Sequence, residues 1–319
     1  MPYTRREFNT LAIAALPAIG WPGATPLAAA QTQKPNSKWA GVQVGMNAPY
    51  NFGSGPGNNY MSGDLVLARC LELGVNAVEL RSQPVEAFLG APGQGAPAGA
   101  LAEWRALAAK HSADFSTWRA SPLGSVTDFR RKFEDAGVAI EIVKYDGILG
   151  FTDEVLDYAF TLAKSLGARA ISFELPINQV EASRRMGQFA EKHGVMIGYH
   201  GHATMTPAVW EQAFTYSKFN GANLDIGHFV GGNKTSPVPF LKQHHERITH
   251  IHVKDKTLDD RNVPFGQGDT PIKEVLQIIR DNKWNIQATI EFEYPVPAGS
   301  DRMKELAKCI EYCRQALLS

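Results

Sequence analysis

From residue 41 onward, short apolar runs alternate with longer amphipathic stretches. Eight runs stand out, at 41–45, 77–80, 139–143, 170–173, 195–199, 222–224, 248–253 and 288–292. They are continuously apolar rather than alternating, as expected of strands covered on both faces. The stretches between them carry helix punctuation. Thr152 can cap a helix whose first turn holds Asp153 and Glu154; Val155, Ala159, Leu162 and Leu166 then share one face, and Gly167 ends it. The helix around 181–193 stops at Gly194 and passes directly into the next run. Strand–helix–strand repetition demands parallel strands with crossover helices. Eight such units in about 280 residues predict a single-domain α/β fold, the (β/α)8 TIM barrel, whose usual size is about 250. A doubly wound open sheet would advertise a Gly-rich phosphate loop after its first strand. Met46-Asn47-Ala48-Pro49-Tyr50-Asn51 contains none.

Two loops, 52–61 and 90–100, are long and rich in Gly and Pro. In a barrel both lie on the carboxyl-end face, as substrate lids or as passive insertions. Ahead of the barrel, Thr4-Arg5-Arg6-Glu7-Phe8 precedes an apolar run from Leu11 to Ile19 and a small-residue end at Ala28-Ala29-Ala30. Basic head, short apolar middle and A-x-A end are the parts of an export signal, and the paired arginines resemble the twin-arginine type. The apolar part is far short of the ~20 residues that span a bilayer. The expected organisation is a signal peptide at 1–30, a linker at 31–40 and the barrel at 41–319, with a periplasmic or secreted location and no membrane anchor.

Charge narrows the partners. Lys+Arg and Asp+Glu both number 32 in the 319 residues, so no global field favours nucleic acid. Cys70, Cys309 and Cys313 form neither a disulfide framework nor a zinc motif, and buried packing is their expected role. Oligomeric state is open, a homo-oligomer being compatible with this composition.

Polar chemistry concentrates at the ends of strands four to eight. These read Glu174, then His200-Gly201-His202, Asp225-Ile226-Gly227-His228, His250-Ile251-His252-Val253-Lys254-Asp255, and Glu291-Phe292-Glu293. Residues two apart on a strand share a face, so each H-x-H or E-x-E pair can direct both members into the barrel mouth. A lone histidine there means little. Histidines and carboxylates from consecutive strands at one rim need a cation or a dense hydrogen-bond network. One divalent metal ion is therefore expected, and mixed imidazole and carboxylate ligands suit Mn²⁺, Zn²⁺, Co²⁺ or Fe²⁺.

The stretches GVMIGYHGH, NLDIGH, ITHIHVKDK, FGQGDTPI and ATIEFE, in this order and spacing, resemble the xylose isomerase-like barrel superfamily of sugar phosphate isomerases and epimerases. That superfamily also includes inosose dehydratases and endonuclease IV. The resemblance covers strands five to eight; the amino-terminal half matches in its βα rhythm alone. It implies a metal held by His200, Asp225, His252 and Glu291, with His200 standing where the family pattern has a glutamate. Glu174 or His202 could share that ligand role. His202, His228, His250 and Glu293 would contact substrate or orient the ligands.

The resemblance further implies proton abstraction alpha to a carbonyl. Two glutamates flank the substrate in the family's epimerases, so a histidine at 200 shifts the expectation toward one-sided abstraction and β-elimination. Glu291, Glu174 or Glu293 would be the base, His200 could serve as a second one, and Lys254 or a histidine would protonate the leaving group. Lys254 could equally pair with Asp255. Export argues for a non-phosphorylated sugar or keto-sugar, such as a 3-keto-glycoside. Lys144, Arg81 and Arg261 are candidate polar contacts, and Tyr50 and Trp118 could stack on a sugar ring. Two rival readings remain: an endonuclease IV-like metal hydrolase, disfavoured by neutral charge and export, and a non-catalytic sugar-binding barrel.

Overall fold

The computed structural model describes residues 34–53, 61–93 and 95–319. The export signal read at 1–30 and most of the loop at 52–61 lie outside the described residues. Eight parallel strands form the barrel: β1 (Val42–Ala48), β2 (Ala77–Arg81), β3 (Ala139–Lys144), β4 (Ala170–Glu174), β5 (Met196–His200), β6 (Asn220–Asp225), β7 (Ile248–Val253) and β8 (Gln287–Ile290). The order β1-β8-β7-β6-β5-β4-β3-β2 is closed by pairing between β1 and β2. Helices fill the crossovers, so the expected (β/α)8 barrel is what forms. No helix among the described residues is long and apolar enough to cross a membrane.

The local signals act as read. Thr152 accepts a hydrogen bond from the Val155 amide and starts the helix Asp153–Ser165, which buries Val155, Leu156, Ala159 and Leu162. Gly194 ends the helix Ala182–His193 at φ +66°, a left-handed conformation that costs glycine little. Most strand ends fall one or two residues from expectation, and the shifts at β1 and β8 bear on the site. β1 begins one residue later and runs on to Ala48, because Gly41 belongs to a hairpin in which Lys38–Trp39 pairs antiparallel with Val42 and Gln43. The described part of the 31–40 segment is thus structured; Ser37 is buried, its hydroxyl donating to the Val44 carbonyl at 2.7 Å. β8 stops at Ile290, leaving Glu291 and Glu293 beyond the paired strand.

Alternate strand positions face opposite ways. Val78, Val143, Ile171, Tyr199, Leu224, Ile251 and Ala288 belong to the apolar core. The in-register sets Asn47–Glu79, Arg81–Lys144–Ser172, Glu174–His200–Asn223 and Asp225–His252–Thr289 carry the other pattern, and hydrogen bonds across the lumen place them inside. Barrel interiors are ordinarily packed with branched apolar residues. This one is polar toward the carboxyl ends of its strands, which is a site rather than a core.

The FGQGDTPI turn hangs from one carboxylate. Asp255 Oδ2 accepts the amides of Gly266, Gln267 and Gly268 at 2.7, 3.1 and 3.0 Å. A Cβ on residue 268 would sit 2.3 Å from Asp255 Oδ1, so the close approach requires glycine there.

Candidate active site at the barrel mouth

Four strand ends converge. His200 closes β5 beside Glu174 and Asn223. Asp225 ends β6 and caps the helix Ile226–Asn233 with Oδ1, which accepts the His228 amide at 2.8 Å and leaves Oδ2 to turn inward. His252 projects from β7. Glu291 follows β8, its Oε1 accepting the Asn47 side-chain amide at 2.8 Å. One potential ligand atom from each of His200, Asp225, His252 and Glu291 lies within 4.8 Å of the others, and all four residues are buried.

Hydrogen-bond geometry leaves the buried atoms His200 Nδ1, Asp225 Oδ2, His252 Nδ1 and Glu291 Oε2 without a partner, although the Lys254 ammonium lies against the two carboxylate oxygens. His252 Nδ1 is 3.1 Å from Glu291 Oε2 and 3.8 Å from Asp225 Oδ2. Buried lone pairs facing one another are costly unless a cation sits between them. The donor set of two imidazoles and two carboxylates fits a divalent transition metal. Burial, with Lys144 and His252 nearby, holds the His200 imidazole well below its usual pKa, so its lone pair is available.

A fixed ammonium stands beside this group. Lys254 Nζ contacts Glu291 Oε2 at 2.6 Å, Glu293 Oε2 at 2.7 Å and Asp225 Oδ2 at 3.0 Å. Burial alone would lower its pKa, but the three carboxylates raise it well above the ordinary lysine value. The Lys254–Asp255 pair does not form: Lys254 faces inward with His252, whereas Asp255 faces the turn. Glu293 also accepts the Tyr50 hydroxyl at 2.9 Å. His228 stands near Asp225 and Glu293, at 4.0 and 3.9 Å, and burial with the neighbouring lysines pushes its pKa down to about 3.

Above the buried group is a cavity of about 270 Å³, lined by Tyr50, Arg81, Lys144, Asp146, Glu174, His200, His202, Glu291 and Glu293. It lies just under the ~300–1,000 Å³ of pockets for drug-sized ligands, which suits a monosaccharide unit. Its cations are matched to carboxylates: Lys144 Nζ is 3.1 Å from Glu174 Oε1, and Arg81 pairs with Asp146. Glu174 Oε2 takes the His202 ring at 2.9 Å, while the His202 side chain is 59% exposed. Burial raises the Glu174 pKa, but Lys144 and His202 outweigh it and hold it at about 2.

The structure brings His200, Asp225, His252, Glu291, Glu174, Lys254, His202, His228 and Glu293 into one constellation. His250 is an exception. It lies fully buried beneath the mouth, away from the cavity lining, with Nε2 3.4 Å from Glu79 Oε1 and Nδ1 2.8 Å from the Thr249 hydroxyl. Trp118 packs on Trp104, His111 and Phe115 and does not line the cavity, and Arg261 is exposed and paired with Asp259. None of the described residues of the 90–100 loop lines it either. Sequence reasoning missed Glu79, Asn47 and Asn223, inward polar residues that hold the site from below. Their one signal was a polar or charged side chain within an otherwise apolar enclosed strand.

Residues 67–315 match the family model described as xylose isomerase-like TIM barrel. No curated protein sequence matches the chain significantly. Among solved structures, an uncharacterized protein from Parabacteroides distasonis superposes with TM-score 0.53 at 21% identity, covering 86% of this chain and 99% of its own. A xylose isomerase domain protein from Alicyclobacillus acidocaldarius gives 0.57 at 14%, covering 87% and 100%. A D-allulose 3-epimerase from Methylomonas sp. gives 0.53 at 12%, covering 86% and 98%. At these identities the likeness bears on the fold alone.

Proposed function

This chain belongs to the xylose isomerase-like TIM barrel family, and from that premise we propose that it is a divalent-metal-dependent sugar isomerase, epimerase or lyase. It acts by proton abstraction alpha to a carbonyl of a non-phosphorylated sugar or keto-sugar, such as a 3-keto-glycoside. The observation that carries this reading is the convergence of four buried potential ligands, two imidazoles and two carboxylates, beneath a small polar cavity. His200, Asp225, His252 and Glu291 would hold the cation, whose contribution would be Lewis-acid polarisation of a carbonyl oxygen that acidifies the neighbouring C–H.

The chain's own residues divide the remaining work. Glu291 lines the cavity and is assigned as the base; Asn47 fixes one of its oxygens, and the other faces Lys254 and His252 at 2.6 and 3.1 Å. Glu174 is engaged at both oxygens, which makes it a weak base and a firm anchor for His202. Burial raises the Glu291 pKa, but His252 and Lys254 outweigh it and hold it well below the usual carboxylate range, so base strength does not separate it from Glu174. A single base assigned on one side favours abstraction coupled to isomerisation or elimination over two-sided exchange. Lys254, caged by three carboxylates, fixes their charge rather than giving up its proton. His202, on the exposed rim, is the group placed to protonate a departing oxygen. The lining cations are already neutralised, which argues against a phosphate and for an uncharged sugar. An exported location, proposed from the leader-like pattern at 1–30, would agree with that substrate class.

Metal-loaded protein incubated with keto-sugars in D₂O should introduce deuterium at the carbon alpha to the carbonyl, read by NMR or mass spectrometry. Turnover without exchange and without a metal requirement would overturn the reading.

A further inference from the structure

We propose that Glu79 is a positioning residue for the metal group: it accepts the Nε2 proton of His252 and so presents the Nδ1 lone pair to Asp225 and Glu291. The inference rests on the metal reading above and adds a residue outside the ligand set.

Glu79 sits in the middle of β2, in register with Asn47, and is 0% exposed. A carboxylate so enclosed is tolerable only if it is paired. Both of its partners come from the H-x-H of β7. Oε2 lies 2.5 Å from His252 Nε2, and Oε1 lies 3.4 Å from His250 Nε2. A carboxylate oxygen at hydrogen-bond distance from a ring nitrogen requires a proton between them. Bound to an ion, His252 would keep that proton on Nε2 and give its Nδ1 lone pair, which is on the side of Glu291 Oε2 and Asp225 Oδ2, to the metal. Lys254 Nζ meets the two carboxylate oxygens from one side, at 2.6 and 3.0 Å, and Glu79 is what turns the Nδ1 edge of the ring toward them from another. His250, braced by the Thr249 hydroxyl, holds the carboxylate from its other side. This gives the first histidine of the motif a place in the fold without substrate contact.

Glu79, His250 and His252 also form a compact group of potential ligands. The 2.5 Å separation argues for a hydrogen bond instead. Two ligands of one tetrahedral cation with bonds of ~2.0–2.1 Å lie roughly 3.3 Å apart.

The test uses the full barrel with Glu79→Gln, which keeps the volume, and Glu79→Asp, which keeps the charge but shortens the reach. Mn²⁺ and Zn²⁺ affinities are measured by competition with a chromophoric chelator. The ligating nitrogen of His252 is read from ¹⁵N chemical shifts of the Zn²⁺-loaded protein. Removing such a supporting carboxylate typically weakens metal binding about 10–100-fold, and that loss is expected in both variants. His252 should lose its single Nδ1-ligated signature, a change that general destabilisation would not produce. Affinities within about twofold of the parent, with Nδ1 ligation intact, would overturn the inference while leaving the metal reading standing. A parent protein that takes up neither metal would overturn both.

Discussion

Glu291→Gln is expected to lower turnover by about 10²–10⁴-fold, the usual worth of a positioned general base. The substitution is nearly isosteric, and the chain around residue 291 is held independently, its amide bonded to the Val253 carbonyl. What disappears is a negative oxygen facing His252 and lining the cavity. Lys254 keeps Asp225 and Glu293 as counter-charges, so the fold should survive. The check is steady-state turnover alongside deuterium wash-in and far-UV circular dichroism. A folded variant with a rate within threefold of the parent (roughly 0.65 kcal/mol) would remove Glu291 from the role of base.

The second large effect concerns the metal. Chelation should abolish turnover, and Mn²⁺, Zn²⁺, Co²⁺ or Fe²⁺ should restore it. The same cation should stabilise the fold, because it binds donors that exist as a group in the folded chain alone. At a free concentration near 100 times Kd the gain is about 2.7 kcal/mol. For a chain of this size that is roughly 5–10 °C in Tm. Asp225→Asn should lose most of the shift, since it removes a charged donor while keeping an oxygen that can cap the following helix. A parent whose Tm and activity ignore chelator would contradict the account.

The barrel was legible because its signals are local. Apolar runs, the Thr152 cap and the Gly194 stop each act within a few residues, and strand–helix alternation does the rest. The ends of β1 and β8 were less so. The hairpin at Lys38–Trp39 and the early stop at Ile290 depend on tertiary pairing rather than on the run itself.

The site divides in the same way. Spacing of two on a strand brought His252 and Lys254 to one face, and the same rule puts Asp255 on the other, which is why the alternative use of Lys254, a pair with Asp255, does not form. His250 shares that face but lies two residues deeper, about 6.6 Å along the strand, and so falls below the mouth. Glu79 was invisible to motif reasoning because its partner His252 is 173 residues away. A carboxylate inside Ala77-Val78-Glu79-Leu80 reads as an oddity until the barrel closes around it. Glu174 was read correctly as a mouth residue, but its base strength depends on Lys144 and His202, which only the assembled rim brings together.

The central claim is that a divalent metal sits among His200, Asp225, His252 and Glu291. Anomalous diffraction from crystals of the metal-loaded protein tests it most directly. The account predicts a peak within ~2.0–2.3 Å of one donor atom from each of the four residues. A peak on Glu174 and His202 at the rim, or none in the barrel mouth of an enzyme that still turns over, would contradict it.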